Sequence, residues 1–261
     1  MLRRDELLGM IPSPKDLNLK TALSAIADLV MPRVCVVCGA SLDGEEKHIC
    51  RDCFTDLPLT GFSLLERNPM ADKFNAGFNS DEYEPYAYAA ALFYYSPESP
   101  YSRLTQVLKY DGNISAGRLL SRMLAEDLES SPFYADVDAI VPVPLHWTRF
   151  LKRGYNQSAV IARCLSSEMG APCLPKLLKR TRRTRSQTTL GMEGKALNVS
   201  GAFAVDAKSA GRIPAPRHIL LVDDVFTSGS TMGACRAALK AHYGPELRVS
   251  AASLAFVGRL G

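Results

Sequence analysis

No stretch of the chain approaches the roughly 18 consecutive apolar residues of a membrane-spanning helix, so membrane insertion is excluded on that count. The first twenty residues, MLRRDELLGMIPSPKDLNLK, also lack the continuous apolar run of a secretory signal, and the expected location is cytoplasmic. There is no internal repeat. There is little charge of either sign in excess: the net charge is +4 over 261 residues. So mild a basic balance suits a protein that handles phosphates and does not by itself argue for nucleic acid. Seven cysteines in a cytoplasmic chain are a poor disulfide framework. Four of them cluster near the N-terminus, which turns the reading toward a metal.

Those four form Cys35-Val-Val-Cys38 and Cys50-Arg-Asp-Cys53. Each short pair can set two thiolates about 3.5–4 Å apart on a tight turn, and two pairs complete a tetrahedron for Zn²⁺. Gly39 suits the knuckle after the first pair. A closed set of four sulfurs keeps no open position, so such a site is structural. His48 as a substitute ligand and an iron–sulfur cluster are the alternatives at these residues. Cys164, Cys173 and Cys235 read as small core residues.

Four regions follow along the chain. Residues 1–33 carry a helical pattern over Leu19–Met31, with Leu19, Leu23, Ile26 and Val30 at helical spacing. Residues 34–57 are the cysteine module. Residues 58–85, rich in Pro, Asn, Gly and Asp, read as an irregular connector. Residues 86–261 alternate strand and helix. Strands are expected at Ala87–Tyr95, Val137–Val143, Cys173–Leu178, Phe203–Val205, Ile219–Val222 and Arg248–Phe256. Helices are expected at Ser102–Lys109, Ala116–Leu128, Asn156–Glu168 and Thr231–His242. This alternation predicts an α/β domain with a mostly parallel sheet flanked by helices, preceded by a small zinc-ribbon-like domain.

The most informative segment is Ile219–Met232, ILLVDDVFTSGSTM. Four apolar residues enter the sheet, and Asp223 and Asp224 follow near the carboxyl end of the strand, where open α/β sheets bind ligands. Thr227, Ser228, Gly229, Ser230 and Thr231 then open a helix. Small residues let backbone N–H groups converge, and the helix N-terminus adds partial positive charge. Two carboxylates beside a phosphate cradle would repel a bare phosphate. They suit a sugar phosphate, whose hydroxyls donate to them while the loop holds the phosphate. A strand ending in acids before an ordinary Ser/Thr-capped helix is the simpler alternative. The loop lacks the GK[ST] ending of a Walker loop.

Upstream, Ile140–Ser158 reads IVPVPLHWTRFLKRGYNQS. Arg149 and Arg153 there are candidates to face an anion, or else are ordinary surface cations. No acidic residue separates Glu168 from Glu193, while Lys176, Lys179, Arg180, Arg182, Arg183 and Arg185 all fall between them. Such a run suits a cover over a phosphate site, a nucleic-acid backbone, or a solvated surface.

Taken in order, PVPLHWTRFLKRGYNQS, RTRRTRSQTTL, NVSGAF and the loop at Ile219–Met232, with LKYDG at Leu108–Gly112, resemble the ComF family. The likeness spans about residues 33–261. The loop itself is similar to the phosphoribosyl-pyrophosphate (PRPP) motif of type I phosphoribosyltransferases. The family pattern has an Arg shortly before NVSGAF where this chain has Lys195, which keeps the charge but loses the planar fork.

The resemblance implies a zinc module joined to a phosphoribosyltransferase-like domain, a ligand of PRPP with Mg²⁺, and a role in bacterial DNA uptake and natural competence. It assigns the ribose to Asp223 and Asp224 and the 5′-phosphate to Thr227–Thr231, and it makes Arg149 and Arg153 candidates to face the departing pyrophosphate. No catalytic residue or acceptor can be read. Three functions remain open on the sequence: an active phosphoribosyltransferase of nucleotide metabolism, a non-catalytic protein binding single-stranded DNA or competence proteins, and a PRPP sensor acting on a partner.

Overall fold

The computed structural model describes residues 33–44, 46–76, 86–109, 114–181 and 201–258. The helical pattern at Leu19–Met31, most of the basic run after Arg180, and NVSG at Asn198–Gly201 except its last residue lie outside them. The chain divides into two compact units, Met1–Thr55 and Asp56–Gly261.

Within the described part of the first unit, the chain reverses on itself between Val34 and Ser41, which form an antiparallel bridge. Cys35 N–H donates to Ala40 O at 2.7 Å and Gly39 N–H to Cys35 O at 2.8 Å, closing a tight knuckle. Gly39 sits at φ 79°, where a side chain would be strained. Helix α1 (Arg51–Thr55) carries Cys53, with Cys50 just before its first residue, and buries none of its residues. The glutamate Glu46 accepts from Arg51 N–H at 2.8 Å and from Asp43 N–H at 2.9 Å, fixing the approach to α1.

The second unit is built on a four-stranded sheet. Its strands are β1 (Ala89–Tyr95), β2 (Ala139–Pro142), β5 (His218–Phe226) and β6 (Arg248–Val257), in the order β1-β6-β5-β2. All three pairings are parallel. Helices on a parallel sheet bury its strands on both sides, which explains the unbroken apolar run Ile219–Val222, each residue 0% exposed. Two sets of helices cover it. Helices α4 (Ile114–Glu129) and α6 (Gln157–Met169) pack on each other, α4 against β1 and β6 and α6 against β2 and β5. Helices α2 (Pro69–Asn75) and α8 (Ser230–Tyr243) form the second set, α2 against β1 and β6 and α8 against β5. Helix α3 (Ser102–Lys109) leads into α4, α5 (Trp147–Arg153) follows β2, and the short α7 (Ala207–Ala210) precedes β5.

Three expectations shift. The strand expected at Ile219–Val222 is longer: β5 continues through Asp223 and Asp224 to Phe226, because its backbone goes on pairing with β6 as far as Phe256. The strand expected at Cys173–Leu178 divides: Cys173 makes one parallel bridge to Ile140, and β3 (Leu178–Arg180) pairs antiparallel with β4 (Phe203–Val205). Pro172 and Pro175 lack the N–H groups a continuous ladder needs. Finally, part of the segment read as irregular is the helix α2. Its cap is Asn68, whose side chain accepts from Met70 and Ala71 N–H, with Pro69 at the first helical position. The same Asn68 amide donates to Ala89 O at 2.8 Å, tying the cap to β1.

At the amino-terminal end of the sheet, buried His218 bridges two strands. Its Nδ1 lies 2.8 Å from Asp136 and its Nε2 2.8 Å from Ser250 Oγ. Burial holds this imidazole below its ordinary range, so it is a neutral hydrogen-bonding group, and Arg248 pairs with the same aspartate at 2.9 Å.

Candidate functional site

The carboxyl ends of the four parallel strands converge on one cleft of about 320 Å³. Tyr95 comes from the end of β1, Val143 from just past β2, Asp223 to Phe226 from β5 and Val257 from β6. This is the position at which open α/β sheets hold ligands. The cleft brings together Asp223, Asp224, Thr227, Gly229, Thr231 and Arg153 from the sequence-derived candidates. Ser228 and Ser230 stand beside it, their hydroxyls 2.9 Å apart. Arg149 belongs to α5, and its side chain lies outside those described.

The loop geometry follows from one glycine. Gly229 caps α8 at φ 77°, turning the chain from β5 into the helix. A Cβ there would stand 2.8 Å from Phe226 Cζ and 3.4 Å from Lys73 O. Phe226 cannot yield easily, since it is 2% exposed and packs edge-on against Phe74 and tilted against Phe256. Gly229→Ala is therefore expected to cost about 2–3 kcal/mol from left-handed strain and crowding together. A thermal melt would show the midpoint falling by roughly 5–10 °C. An unchanged midpoint would mean that the loop relaxes freely and is not a fixed cradle.

Asp223 is held by its neighbours. Ser158 Oγ donates to Asp223 Oδ1 at 2.7 Å, and Asp224 N–H donates to the same oxygen at 2.9 Å. Ser158 opens α6 under the cap of Asn156, whose side chain accepts from Ser158 N–H at 3.2 Å and donates to Val143 O at 3.0 Å. Arg153 Nη1 donates to Gln157 Oε1 at 3.1 Å, which ties the α5 cation to the first residue of α6. Tyr95 and Ser158 are cleft residues that the sequence did not single out, while Arg180, which also lines the cleft, comes from the basic run expected over a phosphate site. Asn156-Gln157-Ser158 carried the signal of a helix start, but only folding brings Ser158 to an aspartate 65 positions away.

A second, larger cavity of about 970 Å³ adjoins the cleft. Its lining includes Trp147 and Phe150 from α5 and the cations Arg163, Lys176, Lys208 and Arg212. Trp147 is 66% exposed and Phe150 48%, unusual for large aromatics.

In the first unit, Cys35, Cys38, Cys50 and Cys53 bring their sulfurs within 4.8 Å of one another. Cys38 Sγ and Cys50 Sγ are 3.7 Å apart, close to the edge of a tetrahedron with metal–sulfur bonds of about 2.3 Å. Burial works to raise the Cys35 thiol, but the backbone N–H groups of Cys38, Cys50 and Val37 outweigh it and bring it down to about 6. Burial and the neighbouring sulfurs push Cys53 the other way. A set holding one ready thiolate beside thiols that resist ionisation is what a cation would complete, and the donor set fits zinc. His48 is not one of the four.

Fold and sites together define an α/β protein with a loop-and-acid cleft on a parallel sheet and a four-cysteine cluster that could hold zinc. Among the described residues no helix is long and apolar enough to cross a membrane. No model of a known protein family matches the chain. It is 35% identical over 136 residues to Competence protein F of Haemophilus influenzae, an overlap of 51% of this chain and 58% of that protein. It is 28% identical over 207 residues to DNA utilization protein YhgH of Escherichia coli (strain K12), covering 76% and 80% of the two chains. It is 29% identical over 124 residues to Competence protein ComFC of Streptococcus pneumoniae, covering 48% and 50%. The chain thus spans little more than half of the first relative's length. These relatives support the resemblance to the ComF family.

Proposed function

We propose that this chain is a ComF-type protein that binds PRPP in the cleft and acts in bacterial DNA uptake. The observation that carries the reading is the shared cleft of Asp223, Asp224 and the Thr227–Thr231 loop. Carboxylates accept from ribose hydroxyls, and the loop's N–H groups and hydroxyls donate to the 5′-phosphate. Arg153 supplies positive charge on the side where the pyrophosphate would lie, and Arg149 is assigned there by its sequence position. Mg²⁺ would arrive with the pyrophosphate and neutralise part of its charge. The relatives' names, which refer to competence and DNA utilization, support the biological half.

If the protein is a transferase, a nucleophile would form a bond to C1 of the ribose as the C1–oxygen bond breaks and pyrophosphate leaves with the electron pair. The protein's part would be to hold both ends and stabilise the leaving charge. Calorimetric titration with PRPP and Mg²⁺ tests the binding step. Saturable heat at sub-millimolar ligand is expected, and no binding at millimolar ligand would sink the reading.

The larger cavity favours a second reading beside the first, a trough for single-stranded DNA. Exposed Trp147 and Phe150 offer stacking faces, and Arg163, Lys176, Lys208 and Arg212 offer phosphate contacts. With four such contacts, oligothymidylate affinity should fall with salt at a log–log slope of roughly −3. Affinity flat across salt, or no binding at low salt, would count against the trough.

A further inference from the structure

Cleft and trough have a common wall. Pro144, Leu145, Asn156 and Arg180 line both cavities. Arg180 ends β3, its guanidinium 5.2 Å from the centre of the Phe203 ring. Asn156 reaches the acid pair through its neighbour: it caps the helix on which Ser158 bonds to Asp223. A ligand on either side of this wall therefore meets the same small group of side chains.

We infer that the two sites are antagonistic: a pyrophosphate-bearing sugar in the cleft weakens a single strand in the trough, with Arg180 as the cation that both draw on. The inference rests on the two readings under Proposed function and goes beyond them by coupling them. Both ligands are polyanions. A guanidinium engages one phosphate in a planar, bidentate fork and cannot give the same fork to a second. Thermodynamic linkage makes the effect mutual: the strand must weaken the sugar phosphate by the same factor. In this arrangement PRPP would act as a release signal for DNA.

The test is anisotropy of a labelled oligothymidylate with the full chain, at fixed ionic strength, without and with saturating PRPP and Mg²⁺. Strand binding should weaken about five- to tenfold, and calorimetry of PRPP with oligothymidylate present should return the same factor. Arg180→Gln should bring the factor to about one, because the shared cation is gone, even though each ligand then binds more weakly. Lys208→Gln, on the trough side only, should weaken the strand and keep the factor. If both ligands bind and neither changes the other, or if PRPP tightens the strand, the antagonism is overturned while the cleft and trough readings stand. A full factor in Arg180→Gln overturns the role of Arg180. Failure of PRPP to bind overturns the cleft reading, and failure of the oligonucleotide overturns the trough; either removes the coupling with it.

Discussion

Replacing Cys50 with serine is expected to abolish zinc retention and to unfold the cysteine module. Among the described residues of that unit, the buried apolar side chains are Cys35, Val37, Leu42 and Ile49. Helix α1 is five residues long and buries none of them. A turn of helix and one antiparallel bridge do not fold alone in water. The sulfur cluster, including Cys50 N–H donating to Cys35 Sγ at 3.3 Å, links the two halves of the module beside a few hydrogen bonds such as Val36 N–H to His48 O at 2.9 Å. Structural zinc contributes on the order of 10–16 kcal/mol of apparent binding energy in small modules at neutral pH, far above what these few side chains can bury. A serine hydroxyl is a poor ligand for zinc and opens the set. Zinc content measured after desalting should drop from about one per chain to near zero, and proteolysis should cut within residues 33–55. The second unit, with its own sheet core, should keep its thermal transition. Full zinc content in Cys50→Ser would remove Cys50 from the ligand set, and an intact module after chelation would remove the metal from the account.

How far the sequence went depends on whether a signal was local. The zinc candidate was legible because four cysteines stand in two short pairs. Strands β5 and β6 were legible because burial on both faces leaves an unbroken apolar run. Helix α2 was not: Asn68 and Pro69 read as a turn, and seven residues with Met70, Ala71 and Phe74 inward are too few to display a period. Helix α5 escaped for the opposite reason, since Trp147, Phe150 and Leu151 point to solvent and no buried face repeats. The cleft divides in the same way. Asp223 through Thr231 are consecutive and declared themselves. Ser158, Tyr95 and Arg180 come from other strands and helices, and no spacing rule links them to Asp223.

The double substitution Asp223→Asn with Asp224→Asn should separate a sugar-phosphate site from a phosphate site, because the two ligands respond with opposite sign. Each carboxylate that accepts from a ribose hydroxyl makes a charge-assisted bond, about 1.5–3 kcal/mol apiece. Losing both should cost about 3–6 kcal/mol, so PRPP affinity falls at least about a hundredfold. The fold has reason to survive, since an asparagine Oδ1 can still accept from Ser158 Oγ and from the N–H of residue 224. Inorganic pyrophosphate has no hydroxyls to lose. For it, removing two negative charges from the cleft lowers repulsion, and affinity should hold or rise. Parallel titrations of PRPP and pyrophosphate against both proteins check this, with a thermal melt to confirm folding. If PRPP binds as tightly to the variant as to the parent, the acid pair does not hold the ribose. If both ligands weaken together in a folded variant, the carboxylates serve the loop's own structure and not the sugar. Only the crossed result, PRPP down and pyrophosphate level or up, fits carboxylates placed for hydroxyls beside a cradle placed for phosphate.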